Sequence, residues 1–176
     1  MTKARIQTKD MVAAALCAAI IAVCSQIQFP MPGGVPVTLQ TFAVALCGFL
    51  LAPKFAAAAI AVYLLLGAVG VPVFAGLSGG FQVLIGMTGG FLFGFIALAV
   101  LGALSKKTVP SLLLSLLGLG VCHAAGIFQF MLVTHMGFGE TVMAVSAPFI
   151  LNDILSVVVA LLIAMRVRPL LRLSEK

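Results

Sequence analysis

Six stretches of this chain are almost continuously apolar, and short runs of proline, glycine, polar or basic residues separate them. They run from Met11 to Phe29, Val37 to Ala52, Phe55 to Gly70, Gln82 to Leu104, Ser111 to His135 and Pro148 to Met165. None alternates apolar with polar residues as a membrane barrel strand does. Most approach the ~20 residues that an α-helix needs to cross a hydrocarbon core. The pattern predicts an all-α membrane protein, a bundle of six transmembrane helices. Pro30-Met31-Pro32-Gly33-Gly34-Val35-Pro36 separates the first two spans, Ala52-Pro53-Lys54 is a tight turn, and Lys106-Lys107 divides the fourth span from the fifth. These breaks are turns rather than linkers, so residues 1–176 read as a single transmembrane domain.

Three blocks between Val35 and Gly94 interrupt the apolar pattern: Pro36-Val37-Thr38-Leu39-Gln40-Thr41, Pro72-Val73-Phe74-Ala75-Gly76-Leu77-Ser78-Gly79-Gly80-Phe81 and Gly86-Met87-Thr88-Gly89-Gly90-Phe91. Bent backbone at membrane depth is tolerated only where it is buried in protein or lines a cavity. The blocks therefore mark an irregular Gly-rich outer segment and a candidate binding site. The second and third blocks repeat Gly-x-Ser/Thr-Gly-Gly-Phe, so Ser78 and Thr88 are expected to face one ligand. Neither copy is followed by Lys-Ser/Thr or flanked by a strand, which excludes a nucleotide loop.

Composition supports the membrane assignment. The chain is 63% hydrophobic and only 8% charged, with a mean hydropathy of +1.30, against roughly 25% charged residues in soluble domains. With the N-terminus inside, Lys3, Arg5, Lys9, Lys54, Lys106, Lys107, Arg166, Arg168, Arg172 and Lys176 all fall on the cytoplasmic side, which accounts for all 10 basic residues. This distribution predicts a multi-pass protein of the bacterial (inner) cell membrane with both termini cytoplasmic. The net charge of +6 is then a topological signal with anionic membrane lipid as its partner, and nucleic acid is not expected. The first apolar stretch is read as a retained span rather than a cleaved signal. Cys17, Cys24, Cys47 and Cys122 are read as small buried hydrophobes. With His123 and His135 as the only histidines, no metal and no cofactor are expected.

Asp153 is the only acid inside a predicted span. An acid there costs roughly 2.5–3.5 kcal/mol on insertion scales, so it is expected to face the interior with a partner. A helix-capping role is the alternative to ligand binding. Asn152 beside it adds an amide. His123 and Gln129 in the fifth span are read as helix–helix hydrogen-bonding residues, and Glu140 as a solvated loop residue. An intramembrane enzyme using Asp153 with His123 is a further alternative, although acid–base work needs more positioned groups than the spans offer. The stripe Gly86, Gly90, Gly94 and Gly102 predicts close helix packing, and its upper members are also expected to let a flat ligand approach the backbone. Ala14, Ala18 and Ala22 form a second small-residue stripe, suited to packing inside the bundle or to docking a partner helix.

The order P-V-T-L-Q-T, Y-L-L-L-G-A-V-G-V-P-V-F-A-G-x-S-G-G, G-x-T-G-G-F-L-x-G-F and an Asp in a Pro-led last helix resembles the BioY family, the biotin-specific substrate-binding S components of energy-coupling factor (ECF) transporters. The resemblance covers nearly the whole chain. It implies high-affinity capture and uptake of biotin by a six-helix bundle with no catalytic activity of its own. A separate transmembrane coupling subunit and two ATPase subunits would energise uptake, and the stripe Ala14, Ala18, Ala22 would be the docking surface. An S component for another vitamin is the alternative. The chain departs from the family's patterns in two places: Met87 and Phe91 replace the Pro and Tyr of G-P-T-G-G-Y, and Ser156 replaces the Lys of D-x-x-K.

Biotin offers two ureido N–H donors and a carbonyl, an apolar ring and chain, and a carboxylate. It suits a cavity with acceptors, apolar walls and donors. Asp153, Asn152 and Gln40 are expected at the polar ends, with Thr38, Thr88, Ser156 and the N–H groups of Gly80, Gly89 and Gly90 as neutral donors. Phe74, Phe81 and Phe91 are expected as walls. Asp153 should prefer the ureido N–H groups to a carboxylate of like charge.

Overall fold

The computed structural model describes residues 8–31 and 34–171. Lys3, Arg5, Arg172 and Lys176 of the charge argument, and Pro32 and Gly33 of the first break, lie outside the described residues. Six longer helices follow the predicted spans: α1 (Thr8–Gln26), α2 (Gln40–Leu50), α3 (Pro53–Ala68), α5 (Gly89–Ala103), α6 (Thr108–Thr134) and α8 (Ala147–Leu171). Two short helices, α4 (Phe81–Ile85) and α7 (Phe138–Val145), stand in the connections. Three of the six, α1, α6 and α8, are long and apolar enough to cross a membrane alone.

The differences from the predicted spans have local causes. The first span ends early and the second starts late because Gln28–Phe29 (β1) pairs antiparallel with Val37–Thr38 (β2). This pairing satisfies backbone groups where the chain reverses. Pro53 occupies the first turn of α3, where its missing N–H costs nothing. The predicted fourth span is not one helix. Gly86 is extended, and the chain breaks between α4 and α5. The Gln129 side chain of α6 donates to the Leu84 carbonyl at 2.8 Å and the Gly86 carbonyl at 2.7 Å. A helix broken in hydrocarbon is tolerable when freed carbonyls find such donors.

The core lies where α2 and α5 cross the other helices, around Ile21, Val44, Phe49, Ile60, Tyr63, Leu98 and Val157, each 0% exposed. Close approach explains the glycine stripe on α5. A Cβ at Gly90 would run into the Ala125 carbonyl, and one at Gly94 would meet Cys122. Both glycines face α6, so they pack helices rather than open a route for a ligand. The outer faces of α1, α6 and α8 carry exposed Leu16, Ile20, Val23, Leu117, Phe128, Leu132, Leu155 and Leu162. Apolar surface of this extent is compatible with a lipid environment. All four cysteines are free thiols.

One stripe is turned the other way from the docking expectation. Ala14 and Ala18 are 7% and 4% exposed and belong to the core, and half-buried Ala22 packs against it. The outward face of α1 is instead Val12, Ala15, Leu16, Ala19, Ile20 and Val23.

The basic turns gather at one end. Lys106 Nζ donates to the Leu51 carbonyl at 2.6 Å, while Arg168 donates to the carbonyls of Phe49 at 2.7 Å and Lys106 at 2.9 Å. These cations sit where the carbonyl end of the α2 dipole is exposed. From this basic end α2 runs back to Gln40, where the chain encloses a cavity.

Candidate functional site

The cavity has a volume of about 230 Å³ and draws on every block singled out in the sequence. Thr38, Gln40 and Thr41 line it from the first block, Phe74, Ala75 and Ser78 from the second, and Thr88 and Phe91 from the third. α6 adds Leu119, Cys122 and His123, and α8 adds Phe149 and Asp153. Gly34, Val35, Pro36, Val83, Leu92, Phe95 and Val145 complete the lining.

Irregular backbone is held in place by side chains of α1. Ser25 Oγ donates to the Val73 carbonyl at 2.6 Å. Gln26 donates to the Phe74 carbonyl at 3.1 Å and accepts the Leu77 N–H at 2.8 Å. Gly76 (φ 70°) and Gly80 (φ 100°) turn the chain in the left-handed region, where a side chain would be strained. The Phe74 ring fits because residue 67 is glycine; a Cβ there would enter the ring. Phe74 then meets Tyr63 edge-on, with centroids 5.4 Å apart.

Gln40 is pinned at the start of α2. Its amide donates to Tyr63 Oη at 2.6 Å, and its carbonyl accepts the Thr38 hydroxyl at 3.0 Å. Ser78 donates to the Ala75 carbonyl at 2.7 Å. Two other lining hydroxyls, Thr41 and Thr88, have no hydrogen bond among the described residues and are available to a ligand.

Asp153 is partnered by His123, the residue that the enzyme alternative named beside it. His123 Nε2 lies 3.2 Å from Asp153 Oδ2, with side chains 7% and 13% exposed, respectively. Ser146 Oγ lies 2.9 Å from His123 Nδ1 on the other side of the ring. A carboxylate is acceptor-only, so Nε2 carries the proton between them, and the Ser146 hydroxyl fixes the ring orientation. Asp153 also lines the cavity, and its Oδ1 has no hydrogen bond among the described residues. The order Ser–His–Asp resembles a nucleophilic relay, but Ser146 does not line the cavity.

Of the residues expected at the site, Asp153, Gln40, Thr38, Thr88, Phe91 and Phe74 line the cavity, whereas Asn152, Ser156, Gly80, Phe81, Gly89 and Gly90 do not. Phe81 is 62% exposed on the outside of α4. Gly89 is packed against the Leu84 carbonyl and the Gln129 amide, and Gly90 against α6. Gly80 spends its N–H on the Gly67 carbonyl at 2.7 Å. Ser156 lies one turn beyond Asp153 in the interior, 7% exposed. Sequence reasoning missed Thr41, Tyr63 and Ser146. The first two stand in motifs already singled out, whereas nothing local marks Ser146.

The BioY family model matches residues 1–173. The chain belongs to the BioY family. Among its relatives, the biotin transporter BioY of Thermotoga maritima is 40% identical over 166 residues, covering 92% of this chain and 97% of that protein. The probable biotin transporter BioY of Pyrococcus horikoshii is 37% identical over 163 residues, covering 93% and 98%. The fold matches the crystal structure of an S-component for biotin from an ECF-type ABC transporter with a TM-score of 0.85, over 94% of this chain and 95% of that one, at 21% sequence identity. With its apolar helices, this BioY-family chain is a multi-pass membrane protein, and its family is one of transporters rather than enzymes.

Proposed function

We propose that the cavity captures biotin and that the chain works as the substrate-binding S component of an ECF-type transporter. The observation that carries this reading is the make-up of the cavity. One half-buried carboxylate, neutral hydroxyl donors and aromatic walls meet in a single cavity, in a chain whose relatives are named biotin transporters. Asp153 Oδ1 accepts a ureido N–H, and the pinned Gln40 amide supplies polar atoms nearby. Phe74, Phe91 and Phe95 wall the apolar ring, while Thr41 and Thr88 remain as donors. Since biotin chemistry is matched by binding groups alone, the chain acts by capture and release, without turnover.

The chain has no nucleotide loop, so ATP would be used by two separate ATPase subunits acting through a transmembrane coupling subunit. Clustering of the basic turns at the end of α2 remote from the cavity supports an orientation with both termini in the cytoplasm and the cavity open to the outside. The coupling subunit would then approach the outward face of α1, where Ala15 and Ala19 are exposed.

Labelled biotin uptake tests the reading in cells that lack their own biotin importer. Expression of this chain with an ECF module should restore accumulation well above that of the module alone. Accumulation no greater than the module-only control, with the protein demonstrably in the membrane, would contradict it.

A further inference from the structure

His123 is the only cavity-lining group among the described residues that can carry a positive charge. The lining holds no Lys or Arg, and its other titratable members are Asp153 and the Cys122 thiol. The groups facing the imidazole come from several elements. Asp153 of α8 is 3.2 Å from Nε2, and Ser146, between α7 and α8, is 2.9 Å from Nδ1. The Phe91 ring of α5 stands edge-on with its centroid 5.8 Å away. On α6 itself, Cys122 directs its thiol to the Phe91 carbonyl at 3.4 Å. Gln40 and Thr41 on α2, across the cavity, are neutral.

A carboxylate entering this space adds a second negative charge to a cavity that already holds Asp153, where charge is screened far less than in water. The cavity can compensate by holding one more proton on the Asp153–His123 pair, and histidine is the side chain that ordinarily changes charge between pH 5 and 8. Ser146 suits both states of the ring: its hydroxyl donates to a neutral Nδ1 and accepts from a protonated one.

We propose that capture of a carboxylate ligand takes up a proton at the Asp153–His123 pair, and that His123 thereby makes the cavity prefer a carboxylate to a neutral ligand of the same shape. This inference rests on the biotin reading above. The bound state holds more protons than the free state, so affinity falls as pH rises. One proton sets the limit at about tenfold per pH unit.

Calorimetric titration of the full chain in detergent with biotin and with its uncharged carboxamide, from pH 6 to pH 8, tests the proposal. Biotin affinity should fall by about tenfold across the range, near the middle of what one proton allows, and carboxamide affinity should stay within about twofold. Buffers of different ionisation enthalpy should reveal net proton uptake with biotin and none with the carboxamide, a readout that needs no variant. In His123→Gln, which keeps an amide donor for Asp153, the preference for biotin over the carboxamide should collapse. A biotin affinity that is flat with pH in the native protein, without proton uptake, would overturn the proposal and leave the biotin reading intact. Persistence of the full preference and pH slope in His123→Gln would overturn the role of His123. Binding of neither ligand would overturn the biotin reading and this inference together.

Discussion

Replacing Gln129 with Met keeps the length of the side chain and removes its amide. The Gln129 amide serves the Leu84 carbonyl at 2.8 Å and the Gly86 carbonyl at 2.7 Å, and the two losses are unequal. Gly86 O still accepts the Gly89 N–H at 3.2 Å, so there only one shared bond disappears, at about 0.6 kcal/mol for a typical interhelical bond in a membrane protein. Leu84 O has no other hydrogen bond among the described residues. An orphaned buried carbonyl costs about 1–3 kcal/mol, which with the shared bond gives a total of about 1.6–3.6 kcal/mol. Reversible unfolding in mixed micelles, followed by far-ultraviolet circular dichroism, measures the difference. Gln82→Ala is the control, because the Gln82 amide bonds the Gly79 carbonyl at an exposed site and its loss should cost less than about 0.5 kcal/mol. A Gln129→Met protein within about 0.5 kcal/mol of wild type would refute the idea that this amide sustains the break between α4 and α5.

Two further outcomes follow from packing and from the cavity wall. Ala18→Trp should destabilise the bundle by at least about 1–3 kcal/mol through overpacking, whereas Ala15→Trp on the outward face should leave folding and biotin binding intact while weakening co-purification with an ECF module. The reverse pattern would restore Ala18 to a docking role. Tyr63→Phe removes the acceptor held by the Gln40 amide at 2.6 Å and should weaken biotin binding by about fivefold, close to one hydrogen bond's net worth. Binding unchanged in equilibrium dialysis would mean that the orientation of Gln40 does not matter to the ligand.

The helical spans were legible because apolarity over roughly 20 residues leaves few alternatives in a bilayer. The break within Gln82–Leu104 was only half legible. Gly86 and Gly89–Gly90 mark weak helix, but the donor that makes the break tolerable lies on Gln129, more than forty residues away in the chain. The same holds for Asp153 and His123: each stands out alone as a polar residue in an apolar span, while their pairing exists only once α6 and α8 are packed. The face of α1 was misjudged for a different reason. Ala14 and Ala18 alternate with Ala15 and Ala19, and in a lipid-facing helix no polar residue marks the outside. The Gly-Gly pairs were expected to offer N–H groups to a ligand. The structure instead uses Gly80 to turn the chain and Gly89–Gly90 to seat it against neighbouring backbone, two demands that leave the same mark in a sequence.

The most direct test of the account is equilibrium binding of labelled biotin to the purified chain and to Asp153→Asn. The wild-type protein should bind one biotin, saturably, with a Kd at or below about 1 μM, equivalent to about −8 kcal/mol. Asparagine keeps the shape of the side chain but exchanges a charge-assisted acceptor for a neutral one. It should cost about 1.5–3 kcal/mol, or roughly ten- to a hundredfold in affinity, in a protein that remains folded. Biotin affinity of Asp153→Asn within twofold of wild type would remove Asp153 from the site, and no saturable binding by the wild-type protein would contradict biotin capture itself.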